Sequence, residues 1–225
     1  MPALRDVVAS HPRLLLVGIN PGLRSGALGH HFAGNGNPFW RLLHAARLTP
    51  TLLPYAESPR LAELGIALTN LCPRTTRTAA ELTRPEIARG RVALARKIGD
   101  WRPAVVAFVG VSLTRMYFGA AATPGPGPKP ETIAGARVFV VPNPSGLNAS
   151  FPGFADKLVW FKRLRAFVDR VSPKAASGPG RGGFGAGRGG FGAGRVGFGA
   201  GRVGSLPPRS GSLPPRLRKR LTGAR

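Results

Sequence analysis

Leu14-Leu15-Leu16-Val17-Gly18-Ile19-Asn20-Pro21-Gly22 decides the fold of this chain. Four consecutive apolar residues leave no polar face, so the run reads as a strand buried on both sides, as in a parallel sheet. Gly18 ends it, and a tight polar turn follows at Asn20-Pro21-Gly22. Three later segments repeat the pattern. Ile66-Ala67-Leu68 runs into Thr69-Asn70, Val105 to Val109 ends at Gly110, and Val138 to Val141 is followed by Asn143-Pro144-Ser145. Helical spacing lies between and after them. Pro38 to Ala46 carries Phe39, Trp40, Leu42 and Leu43, with Asn37 as N-cap and Pro38 at N1. Pro85 to Ile98 offers Ile87, Val92, Leu94 and Ile98 to an inner side, and Thr83 or Arg84 stands near its start. Ser112 is the expected cap of the next helix, and Phe154 to Val171 aligns Leu158, Phe161, Leu164 and Val168.

Strands alternating with helices imply parallel βαβ units. The expected fold is α/β, a three-layer α/β/α sandwich around a short, mostly parallel four-stranded sheet. Ligands in such sheets bind beyond the carboxyl ends of the strands. The polar segments after strands one, two and four should therefore converge on one edge.

The apolar residues thin out after Val171, which bounds a globular region of about 1–171. Residues 172–225 are rich in Gly, Pro, Ser, Ala and Arg. Gly180-Arg181-Gly182-Gly183-Phe184-Gly185-Ala186 recurs with a period of seven, and Ser205-Leu206-Pro207-Pro208-Arg209 recurs at Ser212 to Arg216. Such composition cannot bury enough apolar surface to offset the entropy of ordering, so a disordered tail is expected.

The chain holds 33 Lys and Arg against 9 Asp and Glu, a formal charge of +24. Eleven of the basic residues and none of the acidic ones follow Ser172, so the globular region alone stands at +13. A polyanion is the expected partner, and nucleic acid the first choice. No basic amphipathic helix argues for a membrane surface. In the tail, arginines interleaved with Phe184, Phe191 and Phe198 suit a non-specific tether for DNA or RNA.

Several function classes fall away. The single cysteine, Cys72, leaves no internal disulfide and no cysteine-built zinc site. No apolar run approaches the ~20 residues that span a bilayer, and Met1 to Pro12 lacks a signal core, so a cytoplasmic protein, nucleoid-associated in a bacterium, is expected. None of the carboxylates sits in the three polar strand-end segments, which argues against a paired-carboxylate glycosidase and a carboxylate-bound metal nuclease. His11, His30, His31 and His44 lack metal-ligand spacing, and no metal site is expected. The chemistry falls to amides, hydroxyls, backbone donors and aromatic rings.

Gly18-Ile19-Asn20-Pro21-Gly22-Leu23, Phe32-Ala33, Asn37-Pro38-Phe39-Trp40 and Asn143-Pro144-Ser145-Gly146-Leu147-Asn148 together resemble the mismatch-specific uracil-DNA glycosylases. These belong, with thymine-DNA glycosylases, to the uracil-DNA glycosylase superfamily. The resemblance covers about 14–168. It implies a monofunctional glycosylase that uses water, needs no metal or cofactor, acts as a monomer, and cuts uracil mispaired with guanine from double-stranded DNA. Asn20 matches the asparagine that orients the attacking water. Ile19, Gly22, Ser25, Phe32 and Asn70 fall at base-pocket positions: Phe32 would stack on the flipped base, Ile19 would form the opposite wall, and amides near Gly22 and Phe32 would face the leaving base. Asn143, Pro144, Ser145, Gly146, Leu147 and Asn148 match the loop that enters the helix, with Leu147 as wedge. Some relatives carry an arginine where Ala149 stands, which leaves the grip on the opposite strand to neighbouring basic residues. Arg74, Arg77 and Arg84 are either solvated surface or phosphate contacts. Two other functions fit the same residues: a related glycosylase for thymine, hypoxanthine or an etheno adduct such as etheno-cytosine, and a non-catalytic nucleic-acid-binding protein.

Overall fold

A computed structural model describes residues 4–34, 36–145 and 150–172. The tail, and with it the repeats and the expected tether, lies outside the described residues.

Five strands form one sheet in the order β2-β1-β3-β5-β4. They are β1 Leu14–Gly18, β2 Ile66–Asn70, β3 Val105–Val109, β4 Gly127–Ile133 and β5 Ala136–Val141. The first three and β5 run parallel, and β4 pairs antiparallel with β5 at the edge. The expected count of four strands is therefore corrected to five. β4 carries Pro128 and Pro130, which cannot donate to a ladder and mask a strand in the sequence. At an edge, where one side of the strand needs no partner, they are tolerated.

The helices are α1 Leu23–Leu28, α2 Phe39–Ala45, α3 Arg84–Trp101, α4 Val111–Phe118 and α5 Phe154–Val171. Alternate residues of the buried strands feed two cores. Leu14 and Leu16 join α2 and α5 through Phe39, Leu43, Phe161 and Leu164 on one face. Leu15 and Val17 join α3 and α4 through Leu94, Ile98, Leu113 and Tyr117 on the other. The sheet is thus covered on both sides, as its continuous apolar strands require.

Three local readings change. Val92 is 73% exposed, and Gly90 takes the inward place on α3 because a Cβ there would come within 2.5 Å of the Leu71 carbonyl. Gly110, at φ +124°, precedes α4 in place of Ser112, which lies exposed inside the first turn. Pro38 caps α2 rather than occupying its first turn, while Asn37 Oδ1 still accepts the Phe39 amide at 3.1 Å. At the start of α3, Thr83 is the cap, completed by Glu86 in a reciprocal capping box.

The chain passes from β1 to β2 on one side and returns to β3 on the other. β1 and β3 therefore flank a topological switch point, where α/β sheets open a crevice at the strands' carboxyl ends.

Candidate active site

A cleft of about 870 Å³ opens at that edge. Ile19, Asn20, Gly22, Ser25, Phe32, Asn70, Asn143 and Ser145, named from the sequence, all line it. Pro144 is buried and does not. Gly146, Leu147 and Asn148 lie outside the described residues. No Asp or Glu is among the lining residues.

Asn20 follows β1, and its amide orientation is dictated by its neighbours. Nδ2 donates to the carbonyls of Pro21 (3.1 Å) and Arg74 (3.0 Å) and to Thr76 Oγ1 (2.7 Å). Carbonyls only accept. The Thr76 hydroxyl gives its proton to the Thr78 carbonyl at 2.7 Å, so it too accepts from Asn20. The nitrogen is thereby fixed, and Oδ1 is the atom of this amide that has no hydrogen bond among the described residues. Thr76 is 3% exposed and held by its own amide on the Pro21 carbonyl at 3.1 Å. Sequence reasoning missed it, since a threonine in a polar loop carries no periodic signal.

Phe32 adopts φ +48°, a left-handed conformation that costs a non-glycine residue of order 1 kcal/mol. Two contacts hold it there. Its ring stacks on Phe39 with centroids 3.8 Å apart and planes at 18°, and the next amide, of Ala33, donates to the buried Ser25 hydroxyl at 3.1 Å. Ser25 thus anchors the Phe32 segment as well as lining the cleft. The amides of Gly22 and Phe32 make no hydrogen bond among the described residues.

Asn70 ends β2 opposite Gly18 in the parallel register, which sets its side chain beside a residue with none. A Cβ on Gly18 would come within 2.4 Å of Asn70 Oδ1 and 3.3 Å of the Phe32 ring. Asn70 Nδ2 lies 3.4 Å from His31 Nδ1, and His31 Nε2 lies 3.0 Å from the Arg5 carbonyl. That carbonyl requires the proton on Nε2, so neutral His31 accepts from Asn70. His31, read from sequence only as a failed metal ligand, instead sets the amide of a cleft residue.

Burial is the main cause that pushes the His31 pKa below 6.5, and Lys97 and His30 add to it. The Arg5 carbonyl and Asp6 oppose it. The unfolded chain then binds more protons than the native one as pH falls below 6.5, so native stability present above that value declines toward the depressed folded pKa. Thermal unfolding followed from about pH 7.5 to about pH 5 should show this decline in the wild type and a shallower one in His31→Gln. Parallel curves would contradict the assignment.

On the far side of the cleft, Asn143 Oδ1 accepts the Ser145 amide at 2.9 Å, turning the chain sharply after β5. Arg24 and Arg77 bring cationic side chains to the lining. Arg74 does not serve as a free cation. It holds Glu86 at 2.5 and 3.1 Å and the Glu81 carbonyl at 2.6 Å, and the pairing drops the Glu86 pKa to about 2.

A model of the uracil DNA glycosylase superfamily matches residues 5–165. The chain belongs to that superfamily. Its members are DNA glycosylases, hydrolases that remove damaged bases from DNA at the start of base-excision repair. In this superfamily chain, the matched residues span all five strands and the cleft between β1 and β3. No helix among the described residues is long and apolar enough to cross a membrane.

Proposed function

We propose that this superfamily member hydrolyses the N-glycosidic bond of uracil mispaired with guanine in double-stranded DNA. The observation that carries the reading is the Asn20 amide, pinned through Nδ2 so that only Oδ1 is left to hold a water. An amide oxygen positions water but is a weak base, and no carboxylate lines the cleft to help it. Bond breaking must then run ahead of water attack, with a cationic sugar and a uracil anion. Stabilising the departing base becomes the main electrostatic task, and the Gly22 and Phe32 amides, without a hydrogen bond among the described residues, suit it.

Phe32 supplies a stacking surface backed by Phe39, Ile19 the opposing wall, and Asn70 a polar group for the base edge. To reach these groups the base must leave the duplex, which costs a few kcal/mol and least at a mismatch. The turn at Asn143 to Ser145 leads into the segment whose Leu147 would fill the vacated space, with Gly146 and Asn148 facing the widowed guanine. The segment 172–225 adds a sequence-blind hold on nucleic acid, while one globular unit over 1–171 acts as a monomer without metal or cofactor.

The test is a panel of labelled duplexes holding G·U, A·U, G·T, etheno-cytosine or hypoxanthine, with single-stranded uracil alongside, under single-turnover conditions. G·U should be cut fastest. Fastest cutting of another lesion would reassign the substrate within the superfamily, and binding without any cutting would favour a nucleic-acid-binding protein.

A further inference from the structure

At the opposite end of the sheet lies a second cavity of about 500 Å³, lined by Arg13, Arg47, Thr49 and Arg165 among others. Arg13 precedes β1, Arg47 and Thr49 follow α2, and Arg165 belongs to the last turns of α5. Five-residue strands separate this end from the cleft by roughly 17 Å at ~3.3 Å per residue.

Three arginines line this cavity and no carboxylate does. Asp169 stands nearby but is already shared. It accepts Arg165 Nε at 2.5 Å and lies 3.6 Å from Arg13 Nη1. Arg165 also donates to the Arg47 carbonyl, and Arg13 Nε to the Leu64 carbonyl at 3.1 Å. These bonds fix two of the three guanidinium planes. The Arg47 side chain is exposed and has no hydrogen bond or ion pair among the described residues.

One buried donor remains unmatched: the hydroxyl of Thr49, a residue only 2% exposed, has no hydrogen bond among the described residues, while Arg13 Nη1, also without a hydrogen bond, has the 3.6 Å ion pair with Asp169. Leaving a buried polar group unmatched is costly, and a bound acceptor would relieve that cost. Burial and then the neighbouring Arg165 draw the Arg13 pKa down, and Asp169 only partly opposes them. Excess positive charge, fixed guanidinium planes and a spare hydroxyl donor are together what an oxyanion of phosphate type requires.

We propose that this cavity binds a phosphate group, held by Arg13, Arg47 and Arg165 and by a hydrogen bond from the Thr49 hydroxyl. The group comes from free phosphate or from the backbone of a nucleic acid. The assignment is independent of the glycosylase reading, because none of its residues lines the cleft.

The experiment titrates inorganic phosphate into the full chain by calorimetry, against chloride at matched ionic strength. Arg47→Gln, Thr49→Val and a control, Arg170→Gln, are run alongside. Saturable phosphate binding is expected, weakened at least fivefold in Arg47→Gln and Thr49→Val and unchanged in the control. Thr49→Val should melt no lower than the wild type without ligand, because it loses no protein hydrogen bond. A uracil-free duplex forms the second arm. If phosphate alone does not bind, but Arg47→Gln and Thr49→Val both weaken duplex binding at least fivefold and Arg170→Gln does not, the phosphate belongs to DNA. The proposal is overturned if neither ligand distinguishes the cavity variants from the control, or if Thr49→Val lowers stability and leaves both affinities intact.

Discussion

Asn20→Ala is expected to slow single-turnover release of uracil from a G·U duplex at least about a hundredfold, roughly 2.7 kcal/mol of barrier. The substitution removes the oxygen that would hold the water and the nitrogen that orients it. It also removes two hydrogen bonds joining the turn after β1 to the Arg74 and Thr76 segment, and one within the turn to the Pro21 carbonyl. Such bonds contribute about 0.5–1.5 kcal/mol each, so stability should fall while the protein remains folded. Asn20→Asp should not rescue the rate. A carboxylate has no N–H to offer, and it would face two carbonyls and the lone pairs of Thr76. Thr76→Val provides the intermediate case: one orienting bond is lost, the amide oxygen survives, and the rate should fall less than in Asn20→Ala. Equal excision by wild type and Asn20→Ala would remove Asn20 from the chemistry.

The second large effect is at Gly18, where backbone angle is not the issue. The constraint is space, since the added methyl carbon would sit 2.4 Å from Asn70 Oδ1 and 3.3 Å from the Phe32 ring. Neither can retreat cheaply. Phe32 is backed by Phe39 at 3.8 Å, and Asn70 is tied to His31. Gly18→Ala should cost about 1–3 kcal/mol of stability by overpacking and lower excision more than tenfold. Adding Asn70→Ala removes the closest clash, so the double variant should regain stability without regaining full activity. That non-additivity, read from thermal unfolding and single-turnover rates together, separates crowding from a general folding defect. Simple addition of the two stability changes would argue against the contact.

Why these residues differ in legibility follows from what each depends on. The buried strands β1 and β3 show in the sequence because a strand covered on both faces must be apolar throughout, and α5 because its apolar residues recur at helical spacing. β4 was hidden by Pro128 and Pro130, which only an edge position permits. Val92 fits the helical period of α3, yet the close approach of α3 to the Leu71 carbonyl gives the inner place to Gly90, a tertiary fact with no local signal. In the cleft, Asn20, Phe32 and Asn70 were legible through their motifs and through the rule that strand ends converge. Thr76 and His31 were not, because each acts on another side chain across a register that only the folded sheet creates. Arg74 offered either surface or phosphate contact in sequence, and its fork on Glu86 settles the described state as an ion pair.

The central claim is that this cleft performs hydrolysis at the sugar carbon with a water held by Asn20. Its most direct test is mass spectrometry of the products from a G·U duplex incubated with the wild type in heavy-oxygen water. Free unlabelled uracil and an unbroken abasic strand carrying one heavy oxygen on the sugar are expected. No released uracil, a cleaved strand, or an abasic product without the label after correction for exchange would contradict it.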